Sequence, residues 1–180
     1  MSLPQNKIYT IEDIYLLPDN QRAELIDGKI YYMAPPSRIH QKLVSKLNQV
    51  IANYIDHNKG ECEVYPSPFA VYLDENSNTY VEPDISVICD KNKLDDRGCK
   101  GAPDWIIEIV SPSSRRMDYY TKLFKYRMTG VREYWIVDPD KDRITVYNFD
   151  TEDTSDYTFS DMVKVGIYEN LYINFAQLKL

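Results

Sequence analysis

The chain has 180 residues, of which 43% are hydrophobic and 27% charged, and this composition is typical of one globular domain spanning residues 1–180. The formal net charge of -7 argues against a general nucleic-acid-binding protein, because phosphate neutralisation supplies most non-specific affinity. It leaves room for a local basic site. No apolar run is long enough to span a membrane, so we expect no membrane partner.

The cysteines and the amino-terminal residues bear on the compartment. Cys62, Cys89 and Cys99 have neither the spacing of a disulfide framework nor that of a zinc site, which indicates a reducing cytoplasm. The first residues also lack the apolar core of a signal peptide. We therefore expect a cytoplasmic protein without disulfide bonds.

The first predicted element is a short helix capped by Thr10, and a β-hairpin that turns at Asp27-Gly28 follows it. Apolar residues then recur at helical spacing, which predicts a long helix over about 39–57. The later segments have the composition of strands. In chain order they are 63–73, 80–89, 105–110, 133–138 and 143–149.

The connections between these strands decide the topology. Residues 74–78 predict a tight turn and therefore a hairpin, whereas 90–101 and 151–161 predict polar loops. A helix predicted over 117–128 implies a crossover between a locally parallel pair of strands. The core order helix-strand-strand-strand-helix-strand predicts an α/β fold. It has a central mixed β-sheet flanked by helices, with an added N-terminal hairpin.

Two carboxylates lie in or beside strongly apolar segments. Asp84 ends the run Val81-Glu82-Pro83-Asp84, and Glu108 lies inside the apolar strand predicted over 105–110. An ionised carboxylate is costly near a core unless it is compensated, and Mg²⁺ commonly binds one or two carboxylates together with water and phosphate. The pair predicts a metal-dependent phosphoryl-transfer site. Two ordinary strand-end acids facing solvent remain the alternative.

A lysine near such a site would orient water or neutralise developing charge. Lys122 and Lys125 lie on the helix predicted over 117–128, in one sector with Asp118 and Thr129, and periodicity does not choose between the two lysines. The opposite side of that helix is expected to face the core. It carries Tyr120, Leu123, Phe124 and Met128.

Six basic residues and one acid lie within 115–132, although the whole chain is acidic. This excess predicts a surface that contacts phosphates, with Arg115, Arg116 and Lys125 as candidate nucleic-acid-binding residues. A solvated basic helix that balances acids elsewhere is the alternative. His40 is a further candidate contact, or else a polar residue at the start of a helix.

Five motifs occur in order: Pro83-Asp84, Glu108 followed by Ser111-Pro112-Ser113, the lysine-containing helix, Gly130-Val131, and the segment 133–139. This series resembles the PD-(D/E)xK nuclease superfamily, and more narrowly a bacterial family of restriction-endonuclease-like proteins, over roughly residues 8–178. The segments 24–28 and 36–41 are also similar to that family.

The resemblance implies a restriction-endonuclease-like fold and Mg²⁺ or Mn²⁺ held by Asp84 and Glu108. Val110 stands where the superfamily pattern has lysine, and Lys122 matches the position to which this family has moved that residue. Glu24 matches an additional acid of the family, although it also reads as an ordinary strand residue. A homodimer is compatible with the resemblance.

The expected activity is therefore a metal-dependent endonuclease that hydrolyses phosphodiester bonds of nucleic acid, with DNA favoured over RNA. Its catalytic residues would be Asp84, Glu108, Lys122 and Glu24. A non-catalytic nuclease-fold binding module is one alternative, since the usual lysine is missing and the chain is acidic. A metal-dependent hydrolase of another phosphate ester is a second alternative, because one fold hosts many activities.

Overall fold

The computed structural model of the protein describes residues 7–74 and 78–178. Two sequence-based predictions fall on residues outside these ranges. The statement on a signal peptide concerns residues 1–6, and the turn expected at 74–78 includes residues 75–77. The described helices are α1 (Ile11–Tyr15), α2 (Arg38–His57) and α3 (Leu123–Thr129), and a π-helical segment (Met117–Lys122) leads directly into α3. Short 3₁₀ turns cover Lys91–Lys93, Pro139–Lys141 and Phe175–Leu178.

The strands of the described residues form two six-stranded sheets and one small pair. In chain order they are β1 (Ala23–Ile26), β2 (Lys29–Tyr32), β3 (Glu63–Pro66), β4 (Val71–Tyr72), β5 (Tyr80–Val81), β6 (Ile85–Ile88), β7 (Leu94–Asp95), β8 (Gly98–Lys100), β9 (Trp105–Ile109), β10 (Glu133–Asp138), β11 (Arg143–Asn148), β12 (Asp153–Tyr157), β13 (Met162–Lys164) and β14 (Tyr172–Asn174). The central sheet has the order β12-β11-β10-β9-β6-β3. The hairpin sheet has the order β2-β1-β5-β4-β8-β7.

The centre of the central sheet agrees with the sequence-based expectation. Strands β9 and β10 are parallel, joined by the helical crossover, and every residue of both is buried. Helix α2 packs Leu43, Leu47 and Ile51 onto this sheet, in a core that includes Trp105 and Trp135. The α2 helix begins after Ser37, whose hydroxyl accepts a hydrogen bond from the His40 amide at 3.2 Å.

The hairpin expected over 63–89 is divided between the two sheets. Its outer halves, β3 and β6, pair antiparallel in the central sheet, whereas its inner halves, β4 and β5, pair in the hairpin sheet. Pro68 and Pro83 fall in the two breaks, where a residue without an amide hydrogen cannot continue a ladder. The break at Pro83 is important for the site, because Asp84 follows it directly.

Two segments expected as polar loops contain strands. Residues 94–100 form the β7–β8 hairpin, and β8 runs parallel to β4 at the far side of the hairpin sheet. Residues 153–157 form β12, which pairs with β11 at the edge of the central sheet. The sequence concealed this strand because four of its five residues are polar and exposed, which is tolerated at the edge of a sheet.

The expectation that the cysteines form no disulfide is wrong for Cys62 and Cys89. These residues directly flank the paired strands β3 and β6, and their sulfur atoms are bonded, while Cys99 is free and buried. Cysteine usage therefore no longer indicates a reducing compartment.

The described helices lack the properties of a membrane-spanning segment. None of the helices in 7–74 and 78–178 combines the length and the apolar character that crossing a bilayer requires.

Two glycines of the β8 region provide a test of the hairpin sheet. Gly98 has φ +139°, and a Cβ atom there would lie 2.2 Å from the Ala70 carbonyl oxygen, whereas a Cβ at Gly101, with φ +89°, would meet nothing within 4 Å. We expect Gly98→Ala to lower the free energy of unfolding by about 2 kcal/mol or more and Gly101→Ala by about 1 kcal/mol. Urea unfolding measures both, and an equal cost would contradict this close approach of the two backbones.

Candidate active site

The amine of Lys122 lies between two buried carboxylates from different sheets. It donates hydrogen bonds of 2.8 Å to Oε1 of Glu24, on β1, and of 2.8 Å to Oε1 of Glu108, on β9. All three side chains are about 95% buried, with exposed fractions of 5–6%. The lysine and the two acids that the sequence analysis singled out are therefore brought together at one point.

Asp84 lies beside Glu108 on the neighbouring antiparallel strand. It directly precedes β6, whose Ile85 pairs with Ile107 of β9. Its Oδ2 accepts a hydrogen bond of 2.7 Å from the Ile109 amide, and its own amide makes a long contact of 3.4 Å with Oε2 of Glu108. Each carboxylate thus reaches a backbone N–H on the other's strand, as expected if the two share one site.

His40 contacts Asp84 from the first turn of α2. Its Nε2 lies 3.1 Å from Oδ2 of Asp84, and its side chain is 12% exposed. Burial alone would lower the pKa of His40, but the hydrogen bond and the charge of Asp84 outweigh burial and raise it. The structure thus gives His40 a second role besides the predicted nucleic-acid contact, namely that of holding Asp84 in place.

Two site residues were missed by the sequence analysis as functional candidates. Asp118 is buried with its carboxylate 4.0 Å from the Lys122 amine, one turn earlier on the same helical segment. Tyr126, one turn later, donates a hydrogen bond of 2.8 Å from its hydroxyl to Oε1 of Glu108. The spacing of Asp118, Lys122 and Tyr126 by four residues was the available signal.

The orientation predicted for this helix is reversed. The interior side carries Asp118, Lys122 and Tyr126, whereas Tyr120 and Phe124 are 72% and 62% exposed. Met128 is 68% exposed and Leu123 only partly buried, so the predicted apolar face does not enter the core. The reason is that this helix packs against the carboxylates of Glu24 and Glu108, so that a charged side chain such as Lys122 is stabilised by hydrogen bonds in the interior.

The basic residues around this helix are mostly paired with local acids. Arg115 bonds to Asp138 at 2.7 Å, Lys125 bonds to Asp27, and neither bonds to the site carboxylates. Arg127 and Arg132 also have acidic partners. Within the described ranges, Arg116 has no ion pair. Ion pairs with local acids thus compensate most of the basic charge around this helix, and its contact with phosphates stays a prediction.

Burial and crowding perturb the acids of the site. Burial, together with the charges of Asp84 and Asp118, raises the pKa of Glu108 well above its usual range, although Lys122 opposes this shift. Burial likewise raises the pKa of Asp118, to about 6. The pKa of Lys122 would fall on burial, but Glu108 and Glu24 raise it well above its ordinary value, so the amine stays charged.

Two carboxylate oxygens of the site are candidate ligands for a divalent cation. The described residues contain no group of three or more His, Cys, Asp or Glu side chains already arranged around an ion position. Among them, however, Asp84 Oδ1 has no hydrogen-bond partner and Glu108 Oε2 has only the long contact. Two hard oxygen donors fit Mg²⁺, which usually keeps several waters and needs one or two carboxylates.

The perturbed acid Asp118 makes stability depend on pH. Its folded pKa of about 6 exceeds the unfolded value of roughly 3.9, so its contribution is fully present below about pH 4 and is lost as the pH rises through 6. In EDTA, we expect Asp118→Asn to be more stable than the wild type by up to about 2 kcal/mol at pH 7.5 and nearly equal to it at pH 4. Urea unfolding at both pH values measures this, with the exposed Asp56→Asn as control; an effect independent of pH would contradict it.

Comparison with known proteins identifies the family of the chain. Residues 11–166 match the Uma2 family model, described as "Putative restriction endonuclease". The chain is 27% identical over 129 residues to the uncharacterized protein slr1290 of Synechocystis sp., and this match spans 71% of the chain and 66% of the relative.

The fold also has a solved counterpart. The crystal structure of a putative nuclease belonging to DUF820 from Anabaena variabilis superposes with a TM-score of 0.76 at 22% identity, covering 94% of this chain and 96% of that one. This confirms the restriction-endonuclease-like fold expected from the sequence. The matched family model spans most of the chain, and the protein therefore belongs to the Uma2 family of restriction-endonuclease-like proteins.

Proposed function

We propose that the protein is a metal-dependent nuclease that hydrolyses phosphodiester bonds of nucleic acid. The observation that carries the proposal is a charge imbalance: four clustered carboxylates, those of Glu24, Asp84, Glu108 and Asp118, contact one another's strands or the Lys122 amine. Lys122 and His40 are the cationic side chains hydrogen-bonded to them, so the cluster would carry an excess of two negative charges with all four acids ionised. Without a cation, burial and crowding oppose that state by raising the pKa of Glu108 and of Asp118. One divalent cation would balance that excess, and buried charges persist only when they are compensated.

Asp84 and Glu108 would hold the cation. A bound Mg²⁺ or Mn²⁺ would polarise a phosphoryl oxygen and lower the pKa of a bound water molecule. The protein's part is to fix the ligands: the Ile109 amide and His40 hold Oδ2 of Asp84, while Tyr126 and Lys122 hold Oε1 of Glu108. The remaining oxygens, Asp84 Oδ1 and Glu108 Oε2, are left for the metal.

Lys122 would stabilise negative charge on the phosphate or orient the attacking water. Its amine is charged and held within 2.8 Å of Glu108, so it is adjacent to any ion that Glu108 binds. Glu24 holds the amine from the other side, and its Oε1 also accepts a hydrogen bond of 3.0 Å from the Glu82 amide. Glu24 therefore assists by positioning the lysine.

The substrate class rests on the family. The family description and the solved neighbour both name a nuclease activity, and among nucleic acids we favour DNA. Access would be from the side of Asp84 and His40, which are 14% and 12% exposed, whereas Lys122, Glu24 and Glu108 are nearly inaccessible.

A non-catalytic binding module is the second candidate. The observation in its favour is that the Lys122 amine already bridges Glu24 and Glu108 at 2.8 Å, which is the position a cation would otherwise take between them. If this bridge persists when metal is added, the fold would bind nucleic acid without cutting it.

Removal of either metal ligand tests the proposal. Wild-type protein with Mn²⁺ should nick plasmid DNA, and Mn²⁺ should raise its melting temperature. Asp84→Asn and Glu108→Gln should each lower the cleavage rate at least about 100-fold and abolish the thermal shift, because each removes one charge from the ion's ligands.

Asp56→Asn is the matched control, since it removes the same charge from an exposed position at the far end of α2. It should cleave like the wild type. Equal cleavage by all four proteins would identify the activity as a contaminant, whereas a wild type that neither cleaves nor shifts with Mn²⁺ would favour the binding module.

A second pair of variants distinguishes the roles of the two lysines in the crossover. Lys122→Met should abolish cleavage and also destabilise the protein at neutral pH, because two buried carboxylates lose their cation. Lys125→Met loses only a surface contact with Asp27 and should retain activity and stability. Thermal melting and plasmid nicking measure both properties; loss of activity in Lys125→Met alone would transfer the role to Lys125.

A further inference from the structure

A recess lies beside the candidate active site, at the base of the β1–β2 hairpin. We call it the hairpin recess; its volume is about 380 Å³ and it is lined by Asn20, Gln21, Arg22, Tyr32 and Met33. The Met33 amide donates a hydrogen bond of 2.9 Å to the Arg22 carbonyl, which ties its two walls together. The recess is open to solvent along most of its length, so an occupant would remain partly exposed.

The Arg22 wall of the hairpin recess is connected to the candidate active site by hydrogen bonds. Arg22 precedes Glu24 by two residues, and Met33 precedes His40 by seven. The Arg22 guanidinium also donates a hydrogen bond of 2.8 Å to the Ser67 hydroxyl, and the Ser67 amide donates to the Asp84 carbonyl at 3.0 Å. Ser67 therefore connects Arg22 to the backbone of Asp84 through two hydrogen bonds.

Arg22 is held in a fixed orientation. Its Nε donates to Oε2 of Glu82 at 2.9 Å, while the other oxygen of Glu82 accepts a hydrogen bond of 2.6 Å from the Tyr80 hydroxyl. The side chain is still 41% exposed, and among the described residues its Nη1 has no hydrogen-bond partner. A guanidinium that is held in this way can bind a phosphate oxygen without losing further side-chain entropy.

Tyr32 supplies an aromatic face. Its side chain is 67% exposed at the end of β2, next to Arg22 in the recess lining. Rings exposed beside a basic group are the usual platform on which unpaired bases stack. The carboxamides of Asn20 and Gln21 add donors and acceptors that can meet the edge of a base.

We propose that the hairpin recess binds one unpaired nucleotide of a single-stranded nucleic acid, with its base on Tyr32 and its phosphate at Arg22. The inference rests on the proposed function, because it places this nucleotide beside the phosphodiester that the carboxylate site would cut. A base paired within a duplex is stacked on both faces and cannot lie on the Tyr32 ring. The preferred substrate is therefore single-stranded nucleic acid or a single-stranded junction, and a supercoiled plasmid would be nicked where it is locally unpaired.

Binding in EDTA tests the recess without requiring cleavage. The probes are fluorescein-labelled (dT)₈ and an abasic strand of equal length, which has the same phosphates and no bases. Wild-type protein should bind (dT)₈ at least about fivefold more tightly than the abasic strand, and Tyr32→Ala should abolish this preference. Tyr32→Phe keeps the ring and should retain the preference.

Tyr120→Ala is the matched control, since Tyr120 is equally exposed but lies on the outer face of the crossover. It should bind both probes like the wild type. Arg22→Gln should weaken both probes alike, because the lost contact is to phosphate; its melting temperature checks that the Glu82 contact is not needed for folding.

The two proposals fail separately. If the preference for bases depends on Tyr32 while no metal supports cleavage, the recess stands and the nuclease proposal falls. If the protein cleaves DNA but Tyr32→Ala binds both probes like the wild type, or if Tyr120→Ala loses the preference equally, the recess proposal is overturned. Absence of any binding by the wild type overturns it as well.

Discussion

The Lys122 amine joins three parts of the chain that are distant in sequence. It bonds to Glu24 of the hairpin sheet and Glu108 of the central sheet, while its own backbone belongs to the crossover between β9 and β10. A buried ammonium group is stable only with close acceptors, so neither sheet can move away from the crossover without leaving a charge uncompensated. The relative position of the two sheets at the site therefore depends on this one cation.

The site holds more acids than the one lysine can neutralise. Asp84 and Asp118 add to the negative charge around Glu108, and together with burial they raise its pKa. Buried like charges reduce the stability of a fold, and such a cost is most often tolerated where the charges have a chemical use. The perturbed acids here belong to the cluster that also has two carboxylate oxygens available for an ion.

The sequence predicted the centre of the fold well, because the apolar runs of β9 and β10 and the intervening helix leave one right-handed parallel arrangement. It placed Asp84 near the start of one strand and Glu108 near the end of the next, and the structure pairs these two strands as neighbours. The exchange of strands between sheets at Pro68 and Pro83 was not predicted, since alternation continues across both breaks and only long-range pairing distinguishes one strand from two.

The crossover helix was predicted with the wrong face inward for a more general reason. Hydrophobic periodicity assumes an apolar interior, but this helix faces Glu24 and Glu108, so Asp118 and Lys122 are buried and Phe124 is exposed. A helix with charged residues at four-residue spacing can therefore be oriented by a buried ion cluster. Hydrophobic periodicity offers no way to see that cluster, because its other members lie ten or more residues away along the chain.

The positions of the strand breaks decide which site residues each sheet contributes. The central sheet supplies Asp84 and Glu108 from rigid, fully buried neighbours, so their oxygens are held by backbone amides and by the register of β6 against β9. The hairpin sheet supplies Glu24, and its exposed end carries Arg22 and Tyr32. Because the two strands of the 63–89 hairpin run through both sheets, the break at Pro83 places Asp84 between β5 of the hairpin sheet and β6 of the central sheet. If both proposals hold, the buried strands of the central sheet supply the metal ligands, and the exposed end of the hairpin sheet supplies the contacts to the neighbouring nucleotide.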